Sequence, residues 1–309
     1  MQKWGKHRNG KQRYRCINCG ISETKNRLDI TQKYRFELFK EWILGDQHLD
    51  DLALKYNVTS RTLQNWFTNF WVQEIEFKNQ SINGLVVLVD ALYLEKGCCL
   101  LIAKTKTKII YFDFVISENY ITWKCFLEIW SGDIPLAFVC DGKAGLLKAI
   151  REIFPLVIIQ RCHFHVISYV RRQLTLNPKL QPSKELKIIT RAIKLVKNDS
   201  DLKLWSYLLN WWEENYLTFI KQRTYGLSLT PTGRFVSYYT HANLHSAYYH
   251  LKRALPNLFE YLTFSDIPNT NNSLEGGTNS QLREVFKKHR GLPLIKRKFA
   301  ASFYLLKEK

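Results

Sequence analysis

The chain has 309 residues, 46% of them hydrophobic and 14% aromatic, and a formal net charge of +19 at pH 7. That apolar content excludes a disordered tail, and the length suits two or three domains. The positive excess points to a polyanionic partner, nucleic acid first and an anionic membrane surface second.

No apolar run approaches the ~18 residues needed to span a bilayer, and no apolar leader follows Met1, so the expectation is a soluble intracellular protein with no membrane partner. The seven cysteines (16, 19, 98, 99, 125, 140 and 162) are odd in number and partly sit in apolar runs. That pattern is no disulfide framework and fits a reducing cytoplasm.

Residues 1–27 carry eight Lys or Arg against one Glu, interleaved with Trp4 and Tyr14. Within them Arg13, Arg15, Cys16, Cys19 and Gly20 form a basic Cys-x-x-Cys-Gly knuckle. Two thiolates make half of a tetrahedral zinc site, and His7 is poorly spaced as a third ligand; free cysteines in a basic arm are the alternative. Residues 31–72 read as helical. Thr31 is the expected cap of a first helix with Phe36, Leu38, Phe39, Trp42 and Ile43 on its apolar side, and Asp46 opens a loop. Leu49 to Val58 reads as a second short helix, and Thr59 caps a third. Two short helices, the second opening with Ser, Thr, Arg, Gln and Asn, fit a helix-turn-helix in which Arg61, Gln64 and Asn65 face base edges. An ordinary helical hairpin with a solvated face is the plainer alternative.

Residues 85–94 hold nine apolar residues around one carboxylate, Asp90. Such a run reads as a central strand, and an ionised group there is costly unless paired, hydrogen-bonded or metal-bound. Strands are expected at 98–104, 109–116, 134–140 and 156–160, with a helix capped by Ser117 before the third of these. A second helix follows Gly142 and stops at Pro155. Asp141 closes the strand ending at Cys140, as either a helix N-cap or a second site carboxylate. Neighbouring strands would let Asp90 and Asp141 share one site, the arrangement that holds paired Mg²⁺ ions for displacement at phosphorus. Cys162 and His165 have ligand-like spacing but make half a site, so a structural polar network is expected of them.

Residues 171–264 look helical: 183–198, 199–222 with Trp205, Trp211 and Trp212, and a Tyr- and His-rich block from Arg234 to Leu255. Aromatics at helical spacing are usually core. Leu274 to Phe286 has helical spacing with Asn272 or Ser273 as cap. It carries Glu275 followed by two glycines, each costing roughly 1 kcal/mol in a helix. Close approach of another backbone, DNA for instance, is one reason for them; Glu275 as a favourable charge at a helix N-terminus is the plainer reading. Arg283, Lys287, Lys288 and Arg290 make the closing segment basic.

As an ordered set these motifs resemble the Mutator-type DDE transposases of bacterial insertion sequences. The set comprises Asp90 in its strand, Asp141-Gly142, Phe154-Pro155, Arg-Cys-x-x-His at 161–165, and Glu-Gly-Gly-x-Asn-x-x-Leu-Arg within Thr270 to Arg283. The resemblance implies a multi-domain α/β chain with an RNase H-like core interrupted by an all-helical insertion. Its parts would be a partial zinc-ribbon-like arm (1–28), a helix-turn-helix (29–78), the first part of the core (84–170), the insertion (171–264) and the last part of the core (265–309). It further implies that Asp90, Asp141 and Glu275 bind two Mg²⁺ or Mn²⁺ ions. The expected activity is cleavage of transposon terminal repeats followed by strand transfer into target DNA, by a homo-oligomer at the bacterial nucleoid. Without a first Cys pair, zinc remains an open expectation. The competing readings are a non-catalytic DNA-binding regulator and an RNase H-like nuclease without strand transfer.

Overall fold

A computed structural model of the chain describes residues 1–8, 10–24, 28–45, 47–72, 78–229 and 235–307. Asp46 and Arg234, placed above in a loop and at the start of a helix, lie outside the described residues. The chain divides into two compact units, one of residues 1–75 with 285–300 and one of residues 76–284 with 301–309. The second segment of the first unit departs from the expectation that 265–309 belongs whole to the core.

In the first unit a three-stranded antiparallel sheet comes first, β1 (Gln2–Lys6), β2 (Gln12–Arg15) and β3 (Ser22–Thr24). Three helices follow: α1 (Leu28–Leu44), α2 (Leu49–Lys55) and α3 (Ser60–Phe67). Thr31 lies inside α1 rather than capping it. Thr59 does cap α3, its hydroxyl accepting the Thr62 N–H at 3.1 Å. The core is aromatic. Phe39 is fully buried and packs edge-on to Phe67 at 5.3 Å, while Trp42 stacks on Phe67 at 5.5 Å. The distant segment completes it: His289 meets Trp42 at 4.9 Å, and Phe299 meets Phe39 at 6.0 Å and Trp71 at 5.6 Å.

The second unit is built on a five-stranded sheet. Its strands are β4 (Val86–Glu95), β5 (Cys98–Lys104), β6 (Ile109–Val115), β7 (Ala137–Cys140) and β8 (Ile158–Arg161), in the order β6-β5-β4-β7-β8. The first three form an antiparallel meander, and β7 and β8 add in parallel. Helix α4 (Tyr120–Glu128) precedes β7, capped by Asn119 rather than Ser117, and α5 (Ala144–Ile153) precedes β8. One sheet face, with Val87, Val89, Leu101, Ala103 and Phe138, packs on Trp123, Phe126, Leu146 and Ile150 of these helices. Alternation along β4 sends Leu88, Asp90 and Leu92 to the opposite face.

After β8 come α6 (His163–Leu174), α7 (Gln181–Ala192) and α8 (Asp199–Ile220), with their own core around Trp205 and Trp212. Their indole N–H groups donate to the Ile189 and Pro182 carbonyls at 2.8 and 2.9 Å. The insertion is not all helical. An antiparallel hairpin, β9 (Arg223–Leu229) and β10 (Phe235–Tyr239), precedes α9 (Ala242–Ala254), so the helix expected from Arg234 begins later. Phe-Val-Ser-Tyr-Tyr in β10 is rich in residues that favour strands. A π-helical turn (Ser273–Asn279) then leads into α10 (Ser280–Lys288), and α11 (Leu294–Lys307) closes the chain.

Candidate active site

Strand register brings the first two carboxylates together. Leu88 on β4 is paired with Val139 on the parallel β7. Two residues onward on each strand stand Asp90 and Asp141, on the same face because the side-chain period is two. Asp141 does not cap α5, whose N-cap position is Lys143 without a side-chain bond. Its Oδ1 instead accepts the Lys143 N–H at 3.0 Å, and its Oδ2 lies 3.3 Å from Lys143 Nζ, which also pairs with Glu118. Gly142 makes this turn possible: its φ is +76°, and a Cβ there would stand 1.7 Å from Nε of Arg161.

The third member is His165, on the first turn of α6. One ligand atom each from Asp90, Asp141 and His165 lie within 4.8 Å of one another, the one such group among the described residues. Glu275 is not in that group but joins it through His165, with Oε1 2.5 Å from the imidazole Nε2. Cys162 and His165, expected in a polar network, hydrogen-bond to each other but at different depths. His165 is in the site, while Cys162 is buried beneath it and accepts the Asn271 N–H at its sulfur, 3.2 Å away.

The segment carrying Glu275 is fastened to the face of Asp90 by buried polar contacts. Asn271 Nδ2 donates to the Val89 carbonyl at 3.1 Å, Lys104 Nζ to Thr278 Oγ1 at 2.9 Å, and Asn279 Nδ2 to Asp90 Oδ2 at 2.6 Å. Glu275 N–H donates to the Asn271 carbonyl at 2.9 Å, and the widened π turn follows. A Cβ on Gly276 or Gly277 would meet nothing within 4 Å, so packing within the chain does not require either glycine. Asn271, Lys104 and Asn279 were not singled out from sequence. Asn279 does belong to the Glu-Gly-Gly-x-Asn motif, which was the available signal.

Electrostatics follow from burial. Asp90 is 9% exposed, and desolvation pushes its carboxyl up to about 7, against the pull of His165; Asp141 and Glu275 add to the rise. Burial disfavours charge on His165, but hydrogen bonds with Cys162 and Glu275 outweigh it and lift the imidazole to about 10. His163, by contrast, points into the protein, its Nε2 2.8 Å from the Leu258 carbonyl, and burial lowers it to about 4. The two carboxylates fit a hard divalent cation, and the buried Asn279 Oδ1 is a further oxygen left without a partner; the imidazole, bonded to Glu275, stands beside them as a charge.

The other expected residues lie elsewhere. Arg61, Gln64 and Asn65 are exposed on α3 and line a cavity of about 480 Å³ with Trp42, Trp71 and Lys296. In the arm, Arg13 donates to Ser22 Oγ at 2.8 Å, and Arg15 donates to the Gly20 carbonyl and lies over Trp4 at 4.6 Å. Backbone and side-chain hydrogen bonds from Cys19, and a backbone one from Asn18, lower the Cys16 thiol, but no third donor joins the two cysteines among the described residues. Arg283 is exposed on α10 within the second unit, whereas Lys287, Lys288 and Arg290 fall in the first. No helix of the described residues is long and apolar enough to cross a membrane.

The model of the family described as "Transposase, Mutator family" matches residues 87–230. No curated protein matches the sequence. Among solved structures, "Crystal structure of the Mos1 Strand Transfer Complex" is similar at 11% identity, covering 77% of this chain and 78% of that one, with a TM-score of 0.20. "Mos1 transposase paired-end complex with left transposon end" is similar at 10% identity over 76% and 78%, also with a TM-score of 0.20.

Proposed function

We propose, from the match of residues 87–230 to the Mutator transposase family, that the chain is a transposase that binds the terminal repeats of an insertion sequence, cuts DNA there and transfers the freed strand. In this reading the second unit contains an RNase H-like core, and Asp90, Asp141 and Glu275 are its three catalytic acids. The observation that carries it is the convergence of Asp90, Asp141 and His165 within 4.8 Å, with Glu275 bonded to His165.

Asp90 and Asp141 would hold Mg²⁺ or Mn²⁺, and two such ions supply activation of the attacking oxygen and stabilisation of the leaving one. The protein's own part is placement. Rigid strands fix the two carboxylates, Asn279 orients Asp90, and the turn at Gly142 sets the direction of Asp141. Glu275 holds the imidazole of His165 against the pair. Arg61, Gln64 and Asn65 would read base edges of duplex DNA, and the basic side chains of the arm and of Arg283 to Arg290 would meet phosphates. Assembly as a homo-oligomer on DNA, at the nucleoid of a bacterial cytoplasm, belongs to the same proposal.

The test uses labelled duplexes carrying the inverted sequences that flank the gene, with Mg²⁺ or Mn²⁺. The wild type should nick the ends and join them to a target duplex, and Asp90→Asn, Asp141→Asn and Glu275→Gln should bind without cutting. A wild type that binds and never cuts would make the chain a regulator. Cutting without joined products would make it a nuclease.

A further inference from the structure

Beside Asp141 the second unit contains a cavity of about 450 Å³, lined by Asp141, Gly142, Lys143, His165, Tyr169, Arg172 and His250. Arg172 lines it, and a second guanidinium lies behind Gly142. Arg161, at the end of β8 immediately behind Gly142, is 4% exposed, yet the one hydrogen bond of its guanidinium among the described residues runs from Nε to the Asp141 carbonyl at 3.2 Å. No carboxylate lies within 4.0 Å of it among the described residues. Arginine in a protein interior is ordinarily paired, because a buried unmatched guanidinium costs several kcal/mol of desolvation.

The surrounding groups repeat the pattern. Arg172 stands over the Tyr169 ring at 5.9 Å, and Tyr169 stacks on His250 at 3.8 Å with an interplanar angle of 18°. Burial first, then Arg161, Arg253 and Arg172, hold His250 down near 4, so three guanidinium charges bear on one ring. The buried Nε2 of His250 has no hydrogen-bond partner. Lys143 does not add to the excess, being paired with Glu118 and Asp141.

We propose that this cavity is an anion subsite for a DNA phosphodiester, in which Arg172 meets the phosphate, Arg161 adds its charge from behind Gly142 and His250 a polar contact, one step along the strand from the carboxylate cluster. The proposal rests on the transposase reading, because it takes the anion to be a phosphate of the strand being cut. A planar guanidinium matches two phosphate oxygens at once, which a lysine in the same place would not. Gly142 is then doubly constrained, by its own backbone and by the space that Arg161 fills. Arg161, Arg172 and His250 are positioning residues here: they seat the strand while the acids act on it.

The experiment measures binding of 5′-phosphorylated thymidine dinucleotide to the full chain in EDTA by isothermal titration. Arg161→Gln should weaken it about tenfold or more, Arg172→Ala about threefold to tenfold, and Lys197→Ala, a surface lysine of the insertion, not at all, tenfold corresponding to about 1.4 kcal/mol. Since Arg161 is buried, thermal melts accompany each variant, and the exposed Arg172 gives an independent arm that folding cannot confound. Equal binding by wild type and Arg172→Ala, or no binding by the wild type, overturns the subsite. End cleavage separates the two proposals. A chain that binds the dinucleotide through these arginines but never cuts DNA keeps the subsite and loses the transposase. One that cuts normally with both arginines replaced keeps the transposase and loses the subsite.

Discussion

The imidazole Nε2 of His165 lies 2.5 Å from Oε1 of Glu275, so a ring held in its charged form stands among three acids. Converging carboxylates repel one another, and a cation between them offsets that repulsion when no metal is bound. Removing it should therefore destabilise the metal-free protein. Breaking a fully buried pair costs about 3–5 kcal/mol, and His165 is 28% exposed, so about 2 kcal/mol is expected for His165→Gln. Urea unfolding in EDTA measures this. A variant as stable as the wild type would mean that the pair carries no such charge compensation.

Asp90 gives the site a pH signature. Its carboxyl is raised from an ordinary 3.8 to about 7, chiefly by burial. The sign follows from linkage: its stabilising contribution is complete below pH ~4, where Asp90 is protonated whether folded or not, and is lost as pH rises toward 7. Asp90→Asn abolishes this dependence. In EDTA the variant should gain on the wild type by up to about 1.4 kcal/mol per pH unit between pH 4 and 7, then hold a constant lead. Taking the difference cancels the opposing contribution of His163 and His250, which burial holds neutral. Mg²⁺ at neutral pH should shrink the lead, since the wild type alone retains the full ligand. A difference that is flat with pH would show that Asp90 ionises normally.

Much of this site is legible in the sequence because a charge in an apolar run is conspicuous. Asp90 stands alone among nine apolar residues, and Asp141 follows a second such run. Once the strands are neighbours, their register does the rest. His165 was harder to place, because a Cys-x-x-His spacing does not say which way the first turn of α6 faces. Asn271 and Asn279 look like ordinary turn residues until the π turn carries them onto β4. The hairpin at β9 and β10 hides in an aromatic-rich region that reads as helical, although Tyr225, Leu227 and Leu229 alternate as a strand does. The affiliation of Phe299 with Phe39 has no local signal, as the contact joins residues 260 positions apart.

Asn279 tests whether the support of Asp90 matters as much as the carboxylate. Its amide is buried and donates to Oδ2 at 2.6 Å. In the proposed reading Asp90 is a metal ligand, and losing a partner that orients such a ligand typically costs 10–100-fold in affinity or activity. Asn279→Ala should lower end cleavage by about that factor, and higher Mn²⁺ should partly restore it because the ligands themselves remain. Binding to end DNA should be unchanged. Full activity in this variant would show that the strand alone fixes Asp90.

The first unit makes the last prediction. Its aromatic core joins Phe39, Trp42, Phe67 and Trp71 to His289 and Phe299, from a segment more than two hundred residues onward. Phe299 is 8% exposed, and truncating such a ring typically costs about 3–5 kcal/mol. Residues 1–75 alone should therefore melt without a cooperative transition, whereas residues 1–75 joined through a flexible Gly/Ser linker to 285–307 should melt cooperatively. Lys296 lines the same cavity as Arg61, Gln64 and Asn65 and stands over Trp71 at 5.0 Å, so the joined form also regains a cation beside the side chains proposed to read bases. It should bind duplex DNA more tightly than 1–75 does, with the advantage falling as salt rises. Circular dichroism melts and gel shifts at two salt concentrations decide it. Cooperative melting and undiminished binding by residues 1–75 alone would show that the front end needs nothing from the far end of the chain.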